Sequence, residues 1–232
     1  MNIAIRRRLF ATYPSTIYHA VMVLSVLIVD DEPLVRDAYR AFLQRRPEFE
    51  LVAEATNGEE AVAAASQHLP DVVLMDLQMP VLDGVEATRQ ICAARPDACV
   101  VVMTTFSTTE RIVPALQAGA AGYLLKDVTA EGLTKAIHQA VLGEMPLAAA
   151  VRRALVQTVA ASHVESEARL TPRETELVTL LAEGLSNAQI AERMFLSEGS
   201  VKQYLSQVAT KLGVRTRTQV LVRAIQTGLV TP

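Results

Sequence analysis

Acidic, hydroxyl and basic side chains follow four apolar runs in this sequence. Asp30 and Asp31 follow the first run, Asp76 the second, Thr104 the third and Lys126 the fourth. Short apolar runs bounded by turn residues predict buried strands. Open parallel sheets bind ligands at the carboxyl ends of their strands, so we expect these side chains to share one site.

The three carboxylates of this predicted site indicate a bound cation. Carboxylates that converge in one cleft repel each other and raise each other's pKa unless a positive charge neutralises them. Mg2+ suits such a cluster because it takes oxygen ligands, keeps several waters and bridges to phosphoryl oxygens. The residues therefore predict an Mg2+ site beside Thr104 and Lys126.

The same residues resemble the receiver domain of two-component response regulators, over residues 23–143. The resemblance is carried by the acidic pair, by the signature Asp-x-x-Met-Pro-x-x-Asp-Gly that starts at Asp76, and by a lysine 22 residues after Thr104. It implies that Asp76 is a nucleophile that accepts a phosphoryl group from a sensor histidine kinase. The resemblance also implies the Mg2+ ligands: Asp31, Asp76 and the backbone carbonyl of Gln78, with Asp30 holding a coordinated water.

Three further residues are implied in the response to phosphorylation. Lys126 and Thr104 are suited to donate to the three phosphoryl oxygens, whose charge is about −1.5 to −2. If Thr104 moves toward the phosphoryl group, Tyr123 is placed to turn inward and fill the void. The simpler alternative is that Tyr123 is a half-buried strand aromatic without a switching role.

Strand and helix patterns alternate through the receiver-like region. The strand patterns cover residues 23–29, 51–55, 72–75, 99–103 and 122–125, and a helical pattern follows each of them. Such alternation predicts a parallel sheet with helices on both faces. The fold class is therefore predicted to be α/β, a flavodoxin-like receiver with strand order 2-1-3-4-5.

Composition predicts a two-domain, cytoplasmic protein with a nucleic-acid partner for its second half. The chain has 232 residues, 50% of them hydrophobic, and a net charge of −3. Residues 22–146 carry 9 Lys/Arg against 18 Asp/Glu, whereas residues 168–232 carry 8 against 5. A basic second half favours nucleic-acid binding there. No membrane span is expected, because no run reaches the 18 or so apolar residues required.

Several parts of the chain carry no chemical signal. Cys92 and Cys99 lack the pattern of a disulfide framework or a zinc site. Residues 1–21 are predicted to be a disordered extension ahead of the receiver at 22–146. Residues 147–168, rich in Ala and without Gly, are predicted to be a partly helical linker.

Residues 169–232 carry the signals of a helix-turn-helix domain. Capping-box patterns begin at Thr171 and Ser186, and Ser197 is a third N-cap candidate. Two short helices followed by a longer one, from 198 to 212, predict a helix-turn-helix. With a final helix at about 216–227, the domain is predicted to be all-α with four helices.

The longer helix is amphipathic. Apolar residues recur on one face at helical spacing, while Lys202, Gln203 and Ser206 lie on the other, where Lys and Gln suit base edges in the major groove. A merely solvated face is the alternative. However, Leu-Thr-Pro-Arg-Glu before this helix and Lys-Leu-Gly-Val at its end resemble the LuxR-type DNA-binding domain, over about residues 170–230. Its base-reading positions fall on these three residues.

Two more residues complete the candidate DNA contacts, and one departs from the family pattern. Ser200 stands where Thr is common and keeps a hydroxyl for a phosphate, and Lys211 follows on the same helix. Tyr204 stands where a His is usual. In the family the final helix supplies the dimer contact on DNA.

A receiver followed by this domain is the architecture of NarL/FixJ-type response regulators. It implies a DNA-binding transcription regulator that dimerises when phosphorylated, binds palindromic or repeated half-sites, and has RNA polymerase as a further partner. The unphosphorylated receiver would either mask the recognition helix or disfavour dimerisation. No enzymatic activity is expected beyond self-phosphorylation and slow dephosphorylation.

Two alternatives have different chemistry. Phosphatases with an Asp nucleophile also place it after a strand, but they need a second carboxylate two residues on, where this chain has Gln78. The other alternative is a phosphorylation-independent DNA-binding regulator that uses its receiver only to dimerise. An Asp76→Asn variant distinguishes it from a phosphorylation switch.

Overall fold

The computed structural model describes residues 23–105, 109–148, 150–152, 154–155 and 170–230. The extension predicted at 1–21 and most of the linker predicted at 147–168 lie outside the described residues. Among the described residues, no helix combines the length and the hydropathy of a membrane-spanning segment.

The first domain is built on one five-stranded sheet with strand order 2-1-3-4-5, and every pair of neighbouring strands is parallel. In chain order the elements are β1 (Leu24–Val29), α1 (Pro33–Gln44), β2 (Phe49–Ala55), α2 (Gly58–His68), β3 (Val72–Asp76), α3 (Gly84–Ala94), β4 (Val100–Thr104), α4 (Thr109–Ala118), β5 (Gly122–Leu125) and α5 (Ala130–Val141). The predicted fold class is confirmed. Only β2 begins appreciably earlier than predicted, because Glu50 interrupts the apolar run of this edge strand.

The sheet is covered on both faces, which explains why its strands are apolar runs. All residues of β3 and β4 are buried, as is typical of central parallel strands. On one face the strands pack against α1 and α5, through Leu43 and Ile137 among others. On the other face they pack against α2 and α3, through Ala61 and Ile91 among others.

The strand register brings the predicted site residues together at the carboxyl ends of the strands. Val29 pairs with Met75, so Asp30 follows β1 beside Asp76 at the end of β3. Thr104 pairs with Leu125, so Lys126 follows β5 beside the end of β4. The backbone N–H of Lys126 also donates to the Thr104 carbonyl, at 2.7 Å.

The second domain is all-α in its described part. Its helices are α6 (Pro172–Ala182), α7 (Asn187–Met194), α8 (Glu198–Lys211) and α9 (Arg217–Gln226). The capping boxes at Thr171 and Ser186 are present, and Ser197 caps α8 through the N–H of Ser200. A third capping box, at Thr216, begins α9. The four predicted helices are therefore confirmed.

The two domains touch through α4 and α9. The buried Thr218 hydroxyl donates to the carbonyl of Ala120, at 2.6 Å, and the Gln219 side-chain amide donates to the carbonyl of Gln117, at 2.8 Å. Apolar residues of α4 and α9 belong to one continuous buried cluster. Helix α9 is consequently buried on more than one side, with seven of its ten residues buried.

Candidate functional site

Three carboxylates converge at the carboxyl ends of the sheet strands. Ligand oxygens of Asp30, Asp31 and Asp76 lie within 4.8 Å of one another. Asp30 and Asp76 are 1% and 6% exposed, whereas Asp31 is exposed. The sequence prediction brought these residues together, and the structure places them in one cleft that opens to solvent through Asp31.

Lys126 supplies the positive charge of this cleft. Its ammonium lies 2.7 Å from Oδ2 of Asp30 and 3.4 Å from Oδ1 of Asp76, and it is 10% exposed on its side chain. One cation is therefore shared by two buried carboxylates, with a third carboxylate nearby.

The charges of the cleft are out of balance. Burial raises the pKa of Asp76 above its ordinary value, and the repulsion from Asp30 adds to this, although Lys126 acts in the opposite direction. Burial alone would lower the pKa of Lys126, but Asp30 and Asp76 together raise it. The cleft thus holds an ammonium firmly and still carries surplus negative charge.

A basic residue of α1 holds the acidic pair in place. The Arg36 guanidinium donates to the backbone carbonyls of Asp30, at 2.8 Å, and Asp31, at 3.1 Å. The N–H of Glu32 donates to Oδ1 of Asp30, at 3.0 Å. The sequence prediction missed Arg36; its only signal is a basic residue one turn into the helix that follows the acidic pair.

The turn after Asp76 explains the remainder of the signature. Asp83 caps α3 through the N–H of Glu86, and the N–H of Gly84 donates to the carbonyl of Leu77, at 3.1 Å. A Cβ on Gly84 would collide with the carbonyl oxygen of Asp76. The Asp-Gly pair is therefore structural, since it closes the turn that contains Gln78.

Arg111 of α4 reaches the same turn and was also missed from the sequence. Its guanidinium donates to the carbonyl of Leu77, at 3.3 Å, and lies 4.0 Å from a carboxylate oxygen of Asp83. It thereby connects α4, the helix that contacts the second domain, with the residue after Asp76.

Thr104 and Tyr123 lie on the neighbouring strands β4 and β5, and both are buried. Burial raises the pKa of the Tyr123 hydroxyl to about 12, while the Thr104 hydroxyl acts in the opposite direction. The Tyr123 side chain is fully enclosed, in the cluster that contains α4 residues. It already has the inward position that the sequence prediction assigned to the phosphorylated form.

The donor set of the cleft fits Mg2+. Its available groups are carboxylate oxygens, with one exposed carboxylate and solvent access for the waters that this ion keeps. No thiol or imidazole belongs to the cluster found among the described residues, which disfavours a softer metal.

The second candidate surface is the outer face of α8. Val201, Leu205 and Val208 are buried, as predicted. Lys202 and Gln203 are exposed, as is Ser206. The helix therefore presents a polar face away from its core.

The remaining DNA candidates differ in their environment. Ser200 accompanies the Ser197 cap, with 2.9 Å between the two hydroxyls. Lys211 lies 2.7 Å from the carboxylate of Glu174, which is 4% exposed on its side chain. Tyr204 is half-buried and packs against the domain core. Lys211 and Tyr204 thus have structural contacts that their sequence positions did not reveal.

Comparison with known proteins identifies both domains. The family model described as response regulator receiver domain matches residues 26–138. The model described as bacterial regulatory proteins, luxR family, matches residues 168–224.

Relatives match across both domains. The transcriptional regulatory protein LnrK of Bacillus subtilis is 37% identical over 216 residues, covering 89% of this chain and 98% of LnrK. The nitrate/nitrite response regulator protein NarL of Escherichia coli is 35% identical over 201 residues, covering 85% of this chain and 93% of NarL. The crystal structure of the response regulator ChrA, from a heme-sensing two-component system, aligns with a TM-score of 0.51 and 36% identity, covering 90% of this chain and all of ChrA. An acidic receiver cleft, a luxR-family helix-turn-helix and these relatives together show that the chain belongs to the NarL/FixJ family of two-component response regulators.

Proposed function

We propose that this response regulator is phosphorylated on Asp76 by a partner histidine kinase in the cytoplasm, and that phosphorylation promotes its dimerisation on DNA. The observation that carries the proposal is the cleft in which Asp30 and Asp76 share a single lysine, with the carboxylate of Asp31 close to both. Such a surplus of negative charge is unfavourable unless a metal ion neutralises it, and that ion would also offset the charge of an incoming phosphoryl group.

The proposed transfer needs few groups. A carboxylate oxygen of Asp76 bonds to phosphorus while the bond from phosphorus to the kinase histidine breaks, and the electron pair of that bond stays on the imidazole nitrogen. Asp31, Asp76 and the Gln78 carbonyl would hold Mg2+, with Asp30 on a coordinated water; the ion supplies charge neutralisation. Lys126 is 3.4 Å from Asp76 and can donate to a phosphoryl oxygen there.

The response is proposed to pass through Thr104 and Tyr123. A phosphoryl group offers three acceptor oxygens, and Thr104 ends the strand next to that of Asp76. If Thr104 turns toward the phosphoryl group it leaves a void, and the Tyr123 ring, already buried on the neighbouring strand, would shift to fill it.

Of the two predicted modes of inhibition, the contacts favour control of dimerisation. Lys202 and Gln203 are exposed, so the receiver leaves the DNA-reading face open. Helix α9 instead carries the contacts to α4 through Thr218 and Gln219. In the family this last helix makes the dimer contact on DNA, and phosphorylation would release it. Moving from about 1% to about 99% of the released form needs a differential of about 5.5 kcal/mol.

The DNA contacts are proposed from the exposed face of α8. Lys202, Gln203 and Ser206 would meet base edges, with Ser200 and Lys211 on phosphates. Lys211 would do so while holding its ion pair with Glu174. Two copies would read palindromic or repeated half-sites. Contact with RNA polymerase would follow from binding at a promoter.

The test is to add Mg2+ and beryllium fluoride, which mimics the phosphoryl group, to the full chain. Molar mass is then measured by light scattering, and DNA affinity by fluorescence anisotropy. The expected result is a monomer that becomes a dimer and binds a two-half-site DNA more tightly, while Asp76→Asn stays monomeric. A single half-site should be bound with similar affinity in both states.

Two outcomes contradict the proposal in different ways. If wild type and Asp76→Asn behave alike with and without the mimic, the phosphorylation switch is wrong and the phosphorylation-independent alternative gains support. If the mimic strengthens binding to the single half-site as much as to the double site, the receiver controls the DNA-reading face and not dimerisation.

A further inference from the structure

The main chain of Tyr123 is bonded to the segment that leads out of the receiver. The Tyr123 N–H donates to the carbonyl of Pro146, at 2.9 Å, and the Tyr123 carbonyl accepts from the N–H of Ala148, at 3.1 Å. Leu147, between them, forms a parallel bridge with Tyr123. Residues 146–148, here called the edge segment, therefore pair with β5 on the side that no strand of the sheet occupies.

The edge segment fits closely against β5. A Cβ on Gly122 would come 2.6 Å from Cγ of Pro146 and 2.9 Å from its carbonyl oxygen, so the backbone approach requires glycine at this position. Leu147 is buried in the same cluster as Tyr123. A shift of β5 by a few tenths of an ångström would consequently force the edge segment to move as well.

Beyond the edge segment the chain turns toward the second domain. The N–H of Arg152 donates to the carbonyl of Ala148, at 3.0 Å, which begins a helical turn. Val151 and Leu155 on this turn are 0% and 1% exposed and belong to the cluster that includes Leu177 and other residues of the DNA-binding domain. The described residues of this connection, 146–148, 150–152 and 154–155, thus include buried side chains that share a cluster with both domains.

From these contacts we propose that the edge segment transmits the state of the phosphorylation site to the DNA-binding domain. Pairing with Tyr123 holds the edge segment on β5, which keeps Val151 and Leu155 in the apolar cluster that they share with the DNA-binding domain and keeps α9 against α4. The inference rests on the proposed phosphorylation of Asp76 and names the connection through which it acts.

The physical reason is that Tyr123 makes contacts through both its side chain and its main chain. The Tyr123 side chain is buried on β5, the strand next to that of Thr104, and its main chain carries both hydrogen bonds to the edge segment. A repacking of the ring that moves the main chain must either carry the edge segment along or break these bonds. Packed interfaces tend to change between discrete arrangements and not continuously, so a small motion at Tyr123 can release the whole connection.

The test uses Ala148, whose N–H makes one of the two bonds. Ala148→Pro removes this donor, and proline is compatible with a position just ahead of a helical turn, where its N–H is not needed by the helix. Ala148→Ser keeps the N–H and serves as the matched control. Both variants are studied as full chains, with and without Mg2+ and beryllium fluoride, using the two-half-site DNA.

Ala148→Pro should be partly active without the mimic. We expect its unstimulated DNA affinity to rise about fivefold or more, the lower end of couplings between sites, and the further gain on adding the mimic to shrink by the same factor. Ala148→Ser should behave like wild type. If Ala148→Pro is stimulated as strongly as wild type from an unchanged starting affinity, the edge segment is not the connection.

A measurement on the wild type guards against misfolding of the proline variant. Hydrogen exchange of the Ala148 amide should accelerate at least about tenfold when the mimic is added, because the bond to Tyr123 is released; a tenfold change corresponds to about 1.4 kcal/mol of opening free energy. An unchanged rate in a wild type that does dimerise with the mimic overturns the inference alone. A wild type that does not respond to the mimic overturns the proposed function.

Discussion

Asp76 and Glu174 are both carboxylates buried in their domains, and each lies close to a lysine. Asp76 is 3.4 Å from Lys126, but that lysine is closer to a second carboxylate, Asp30. Glu174 is 2.7 Å from Lys211 and also accepts from the N–H and the hydroxyl of Thr171. The two carboxylates therefore differ in the number of hydrogen-bond and ion-pair donors that they do not share with another carboxylate.

The pKa values follow that difference. For Asp76 burial prevails and the pKa is raised, with repulsion from Asp30 adding to it. For Glu174 burial also acts to raise the pKa, but Lys211 and Thr171 outweigh it and the pKa is lowered. A carboxylate with sufficient donors stabilises its domain, whereas one that must share is available for chemistry.

The largest change in unfolding free energy should come from replacing Lys211, the lysine that pairs with Glu174. Lys211→Met leaves Glu174 charged and buried. Breaking such a pair costs about 3–5 kcal/mol when both partners are buried. Lys211 is 40% exposed and water can replace part of its role, so we expect a loss of about 2 kcal/mol. Urea unfolding followed by the helical circular dichroism signal measures it.

Lys202→Met is the matched control for this variant. Lys202 is exposed on the same helix and has no ion pair with a described residue, so its replacement should change the unfolding free energy by less than about 0.5 kcal/mol while weakening DNA binding. If Lys211→Met weakens DNA binding with no loss of stability, Lys211 belongs to the DNA contacts alone and the comparison with Asp76 fails.

Replacing Asp76, the carboxylate that shares its lysine, should instead increase the unfolding free energy. Asp76→Asn removes one of three converging negative charges, so the variant should be more stable than wild type by about 1 kcal/mol in buffer with EDTA. With Mg2+ at ten times its Kd, wild type should gain about 1.4 kcal/mol by linkage, which offsets the difference. A less stable Asp76→Asn in EDTA would mean that Lys126 already compensates Asp76.

The strand ends were predictable from sequence because a parallel sheet turns chain order into spatial order. Asp76, Thr104 and Lys126 each follow a buried run, and the register places them at one edge. The helix starts of the second domain were predictable for a similar local reason, since Thr171 and Ser186 cap helices within four residues of themselves.

Contacts between distant residues could not be predicted in this way. Arg36 and Arg111 look like ordinary helix residues in sequence, yet they bond backbone carbonyls at the site. Lys211 pairs with a residue 37 positions away. The pairing of Tyr123 with residues 146–148 involves backbone groups, which any sequence offers, so no side-chain pattern signals it.

The smallest and most discriminating effects should appear as pH is lowered. The pKa of Glu174 is below its ordinary value of 4.5, so its contribution to stability is present above pH 4.5 and is lost as pH falls through the lowered pKa. The pKa of Asp76 is above its ordinary value of 3.8, so its ionisation costs stability at neutral pH, and this cost disappears as pH falls through the raised pKa.

Two variants with retained shape separate these contributions. Glu174→Gln keeps a capping-box residue, and at pH 7 it should lose about 1 kcal/mol while Asp76→Asn gains a similar amount, in EDTA. Both differences should shrink toward zero on acidification, that of Asp76→Asn first and that of Glu174→Gln only below about pH 4.5. Urea unfolding of the three chains at a series of pH values gives the order. The carboxylate that protonates first on acidification is the one whose charged form is less stabilised. If the difference in unfolding free energy between Glu174→Gln and wild type disappears first, the charged form of Glu174 is therefore not better stabilised than that of Asp76.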